Sequence, residues 1–160
     1  MRTQTGWLGL VLVVASSTVV AQERETDRTC LAPPPLSSRS EVPAERDYAG
    51  VRFRTGGVGE VEARAMREVR ASYSLALTFA ERFEDKDRFL AGILVEIRRP
   101  DGQDVLCVVS DGPFLFVDLP PGAYRVTATT GGGRAMRRAV NLGDAHRDVT
   151  FLWLSSGAGR

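Results

Sequence analysis

After Tyr73 the hydrophobic pattern of the chain settles to a period of two, and this constrains the fold more than any other feature. Tyr73, Leu75, Leu77 and Phe79 alternate with Ser74, Ala76, Thr78 and Ala80, the signature of a half-buried strand. The same pattern returns in short segments: Ile93, Val95 and Ile97, then Val105 to Val109, Phe114 to Val117, Tyr124 with Val126 and Ala128, Met136 to Val140, and Val149 to Leu154. Turn formers separate them, at Pro100-Asp101-Gly102, Ser110-Asp111-Gly112-Pro113, Pro120-Pro121-Gly122 and Gly131-Gly132-Gly133. Proline fixes φ and glycine supplies turn conformations closed to other residues. Short strands with a turn every 8–12 residues or so predict a mainly β fold, an antiparallel β-sandwich of about seven strands. The charged run from Glu81 to Arg88 reads as the loop that ends the first of these strands.

One helix is expected ahead of the strands. Val51 and Phe53 alternate with Arg52 and Arg54 as a short strand, and Gly56-Gly57-Val58-Gly59 then breaks the backbone. Over 60–71, Val61, Ala65 and Val69 repeat every four residues along one face, and Glu60 and Glu62 stand in the first turn, where the helix dipole favours anions. The sandwich domain is expected to span 48–155. Residues 22–47, charged and carrying Pro33-Pro34-Pro35, read as a flexible tail or tether, and 156–160 as a disordered end.

The first 21 residues have the layout of a secretory signal. A basic start at Arg2 precedes the apolar run from Trp7 to Ala15, and Val19-Val20-Ala21 closes it with small residues at the cleavage positions. The apolar stretch falls short of the ~20 residues that span a bilayer. Cleavage is expected between Ala21 and Gln22, leaving no integral membrane anchor. Cys30 follows a charged run, which argues against a lipid anchor. Among 21 basic residues lysine occurs once, at Lys86. Arginine in place of lysine is the bias of a GC-rich bacterial genome, so the expected compartment is the periplasm. Export permits disulfides. Cys30 and Cys107 are the two cysteines. Paired, they would close a loop worth about 4 kcal/mol in the chain-entropy account. Unpaired, Cys107 would be a small buried hydrophobe on a strand.

Charge excludes one class of partner. The formal net charge is +1, and Arg2 is the only charge in the leader, so the exported product balances and has no footprint for nucleic acid.

The segment Leu119-Pro120-Pro121-Gly122-Ala123-Tyr124-Arg125-Val126-Thr127-Ala128 resembles the L-P-P-G-x-Y-x-V-x-A stretch of carboxypeptidase regulatory-like domains. Physically, the prolines end one strand, the glycine turns, and Tyr124 packs inward with its hydroxyl bonded to backbone. A wider likeness to small exported bacterial proteins bearing that domain runs from Gly56-Gly57-Val58-Gly59-Glu60 through 73–79 and Ser110-Asp111-Gly112-Pro113 to Phe151-Leu152-Trp153. The resemblance implies a transthyretin-like (prealbumin- or immunoglobulin-like) sandwich and an exported compartment. It carries no established activity, and the zinc catalytic domain that such regulatory domains accompany in metallocarboxypeptidases is missing from this sequence.

Catalytic residues are not expected. His146 is the single histidine, flanked by Asp144 and Asp148, which makes a poor metal site and more simply a solvated hairpin turn. Ser110 and Ser155 lack the nucleophile-elbow pattern. Lys86 and Asn141, the sole lysine and asparagine, are not expected to form an isopeptide, because Lys86 lies among charges. Gly56, Gly57, Gly59 and Glu60 form the best candidate binding loop, able to offer backbone N–H groups to an anion ahead of a helix; a plain strand-to-helix turn needing glycine is the simpler reading. The expected function is a non-catalytic periplasmic binding or envelope-associated interaction module with no cofactor, taking a protein or peptide partner. The alternative is a small-ligand or metal carrier of transthyretin-like fold.

Overall fold

A computed structural model describes residues 30–33 and 42–155. The expected signal over 1–21 with its cleavage point, Pro34 and Pro35, and the 156–160 end lie outside them. Among the described residues ten strands form: β1 (Arg46–Tyr48), β2 (Val51–Gly56), β3 (Leu75–Phe83), β4 (Lys86–Phe89), β5 (Leu94–Arg98), β6 (Asp104–Val109), β7 (Phe114–Val117), β8 (Gly122–Thr129), β9 (Ala135–Leu142) and β10 (Arg147–Leu154). One helix, α1 (Glu60–Val69), is followed by a 3-10 turn over Arg70–Ser72.

The strands make a β-sandwich. One sheet has the order β1-β2-β7-β3-β10, with β4 also on β3; the other is β6-β5-β8-β9. Every ladder is antiparallel except β10 on β3, which runs parallel from Arg147 opposite Leu75 to Leu154 opposite Arg82. The chain arrives there from the other sheet, and Arg147 donates its N–H to the Ser74 carbonyl at 2.9 Å. A crossover of this kind frees the strand from hairpin geometry, so a parallel pair is allowed.

Inward side chains of both sheets fill the space between them. Phe79 and Phe151 are fully buried with rings 6.0 Å apart, and each such side chain contributes roughly 1.5–3 kcal/mol by leaving water. A second, smaller core lies outside the six-stranded sheet, where Met66 of α1 packs on Tyr73, Ala76, Phe114 and Phe116. All four residues of β7 are therefore buried, as expected of a strand covered on both faces.

Several expectations are corrected. The buried side of α1 is Ala63, Met66 and Val69 rather than Val61 and Ala65, and Val61 is 63 % exposed. The run Glu81–Arg88 is a β-hairpin and not a loop: β3 extends to Phe83, Glu84 takes a positive φ in the turn, and β4 returns with Lys86 opposite Phe83. The two described pieces of the expected flexible tail are held on the domain. Cys30 and Cys107 are disulfide-bonded with Cα atoms 4.7 Å apart. Leu31 extends the four-stranded sheet beside β6, its N–H donating to the Cys107 carbonyl and its carbonyl accepting from Val109 N–H. Further on, Arg46 donates to the Ala32 carbonyl at 3.0 Å and lies over the Phe53 ring.

Candidate functional site

The glycine segment sits at one corner of the sandwich. β2 pairs with β7 as far as Gly56 opposite Phe114, and the chain then leaves the sheet to start α1. Three glycines are forced here by close approach. A Cβ on Gly56 would come within 2.5 Å of both Glu62 Oε1 and Pro43 Cγ. One on Gly57, at φ +99°, would meet the Phe114 ring at 2.3 Å, and one on Gly112 would meet the Gly56 carbonyl oxygen at 2.3 Å. Thr55 and Ser110 complete the junction. Thr55 Oγ1 donates to the Phe114 carbonyl and accepts from Asp111 N–H, while Ser110 Oγ accepts from Ile93 N–H. The Ser110-Asp111-Gly112-Pro113 segment is thus the hinge by which the chain passes from β6 in one sheet to β7 in the other.

Two of the loop amides already have an anion, and it belongs to the protein. Glu62 Oε1 accepts from Gly57 N–H at 2.6 Å and from Val58 N–H at 3.2 Å. Glu62 stands at the third helical position, where a carboxylate reaches back over the helix start in the manner of a capping box. An external anion would have to displace it, so these two amides serve the strand-to-helix turn and are capped from within the chain.

Beside the loop is a cavity of about 460 Å³. Gly57, Val58, Gly59, Glu60, Ala63 and Arg67 form one wall; Phe89, Leu90, Ala91 and Pro113 form the other. The lining is mainly apolar, and Val58 and Phe89 remain 46 % and 63 % exposed. Glu60 pairs with Arg64 at 3.3 Å, whereas no carboxylate among the described residues pairs with Arg67. Gly56 lies just outside the cavity, while Gly57, Gly59 and Glu60 line it. The Phe89–Ala91 wall was missed in the sequence because it follows a stretch read as loop. Its signal was Phe89-Leu90-Ala91, three apolar residues directly after the charges.

A second polar cluster binds the strap at 43–45 to the outside of the sheet. Tyr73 donates its hydroxyl to Glu45 at 2.7 Å and accepts from Arg54 Nε at 3.1 Å, and Arg54 also donates to the Pro43 carbonyl. Arg52 bridges Glu45 and Asp118. The Tyr73 hydroxyl, aided by Arg52, holds the Glu45 carboxyl below its ordinary range. Burial, and then the bond to Glu45, pushes the Tyr73 phenol up.

His146 is not in a hairpin turn, since β9 and β10 belong to different sheets. Its Nδ1 lies 2.6 Å from the Tyr73 carbonyl oxygen and its Nε2 3.1 Å from Asp148 Oδ1, while Arg70 holds the other oxygen of Asp148. Both ring nitrogens are engaged, and no group of three metal-ligating side chains occurs among the described residues. Lys86 is on β4 and Asn141 on β9, in opposite sheets. In the turn motif, Tyr124 is buried and its hydroxyl donates to the Pro120 carbonyl at 2.9 Å.

The fold and the site define a small disulfide-bonded β-sandwich with one helix and an apolar corner cavity. Compared with known proteins, the chain matches no family model and no curated protein. No helix among the described residues is long and apolar enough to cross a membrane.

Proposed function

We propose that the protein is a non-catalytic binding module that takes a protein or peptide partner at the corner cavity, working in the periplasm after removal of its leader. The observation that carries this reading is the cavity of about 460 Å³ with Val58 and Phe89 left exposed at its mouth. Concave, mostly apolar sites with a few polar groups are where ligands bind. The Cys30–Cys107 disulfide supports an oxidising compartment. The sandwich and the Tyr124–Pro120 bond are in keeping with a carboxypeptidase regulatory-like domain. The sole histidine spends both ring nitrogens on structural partners, which favours binding over chemistry.

Peptide display on the immobilised protein tests the reading, with Val58→Asp and Phe89→Asp as counter-targets. Enriched peptides should bind wild type and lose about tenfold or more on either variant, as expected when an apolar anchor site is charged. Peptides that bind all three equally would place recognition elsewhere and overturn it. A small-ligand carrier is the second reading, favoured by the cavity volume alone, which falls in the size range of small-molecule sites. A metabolite thermal-shift screen that raises Tm with one compound, and fails to do so in Phe89→Asp, would replace the first reading with the second.

A further inference from the structure

We infer that the partner enters as an extended strand with alternating apolar and acidic residues, added to the free edge of β4. This rests on the binding reading above and specifies its ligand.

The backbone register leaves a place for one strand. β2 runs parallel to β3, with β7 between them: Phe53, Val117 and Leu75 lie in one row, and Gly56, Phe114 and Thr78 in another. Along β3, β7 gives way to β4 after Pro113, whose carbonyl accepts from Phe79 N–H. Ala80 is then opposite Phe89, and Glu81 opposite Arg88. Had β2 continued straight past Gly56, it would have lain beside β4. Instead the glycines turn it out into α1, and the cavity occupies the ground it leaves.

That edge of β4 carries unused main-chain groups. Leu90 N–H donates to the Phe79 carbonyl. By antiparallel alternation Lys86, Arg88 and Leu90 face β3, and Asp87 and Phe89 direct N–H and C=O toward the vacant side. No described strand pairs there. Added strands gain affinity from such main-chain bonds and specificity from alternate side chains.

The flanking charges choose the partner. Asp87 and Phe89 share the outer face with the cavity, and Asp87 is neutralised by Arg82 at 2.7 Å. Lys86 and Arg88 share the other face, where Arg88 is exposed and reaches Glu81 at 3.4 Å. Lys86 has no carboxylate partner among the described residues. Acidic residues of an incoming strand would stand opposite Lys86 and Arg88, and its apolar residues would enter beside Phe89. A second copy is a poor occupant. Pairing two β4 edges through Asp87 and Phe89 would set Arg88 directly against its own copy, and like charges opposite each other destabilise a sheet.

Fluorescence anisotropy on the full chain, with capped hexapeptides alternating leucine and glutamate, tests this. The glutamate peptide should bind about tenfold or more tighter than its lysine counterpart, and Lys86→Glu with Arg88→Glu should reverse the order. N-methylation of alternate peptide amides should weaken binding about tenfold. Asp87→Pro, which removes the edge N–H and spares the β3 ladder, should do likewise, and Asp87→Ala should change it less than about threefold. Equal binding of the two peptides overturns the acidic preference, and no effect of N-methylation overturns strand addition. Either failure leaves the cavity reading standing if Phe89→Asp still abolishes binding of display-selected peptides. If neither hexapeptide binds, the inference is overturned whole. Should Asp87→Pro not fold, the N-methylated peptide on wild type still decides.

Discussion

Gly57 and Gly59 look alike in the sequence and differ in what surrounds them. Both adopt positive φ, but a Cβ on Gly57 meets the Phe114 ring, while one on Gly59 meets open space. Gly57→Ala should therefore cost about 2 kcal/mol or more, and more than Gly59→Ala, where backbone strain acts alone. Urea denaturation of the pair checks this; equal losses would show that the Phe114 contact is not what demands glycine. Glu62 is the other residue on which the loop depends. Glu62→Ala leaves Gly57 and Val58 N–H without their acceptor, so stability should fall by roughly 1–2 kcal/mol, with faster hydrogen exchange at those two amides. Glu62 was legible as a helix-start carboxylate. That it would close the anion site was not, because only the folded loop brings its oxygen to both amides.

At the level of elements, alternation revealed strands wherever one face is buried and the other wet, as in β5 and β8. It failed at the hairpin of β3 and β4, whose four β4 residues are all exposed; with no covered face there is no hydrophobic period to read, only charges. Such charge is what keeps a short edge from indiscriminate pairing. The face of α1 was misjudged for a related reason. Spacings of three and four both suit a helix, and the choice of Met66 over Val61 is made by the Phe114 and Phe116 rings beneath. The parallel docking of β10 is a long-range pairing with no local mark. The tether at Cys30 and Leu31 was half legible, as two cysteines without a distance. Cys30→Ser should cost roughly 2–4 kcal/mol and expose the β6 edge, seen as faster exchange at Val109 N–H. Unchanged exchange there would mean that Leu31 stays docked without the disulfide.

For the whole molecule, charge couples stability to pH on both sides of neutrality. Glu45, held below its ordinary 4.5 mainly by Tyr73, and Asp87, held below its ordinary 3.8 mainly by Arg82, stabilise the fold above those values. That contribution is lost as pH falls through their folded values. Tyr73 is raised above its ordinary 10.0; its contribution is complete below that pH and is lost as pH rises through the folded value. A plateau in urea midpoint between about pH 5 and 9 is expected, with a decline on either side. Tyr73→Phe should flatten both declines, since it removes the phenol and the donor to Glu45; unchanged limbs would contradict the Tyr73–Glu45 account. The sandwich, the helix and the glycine half of the site could be read from residues 56–154, whereas the cavity needed the hairpin, which folds back to supply Phe89.

Amide hydrogen exchange of the protein saturated with a display-selected peptide tests the central claim most directly. Slowed exchange at Asp87 and Phe89, with smaller changes over 57–60 and none along β9, is the predicted result. Protection confined to another edge, with Asp87 and Phe89 unchanged, would contradict it.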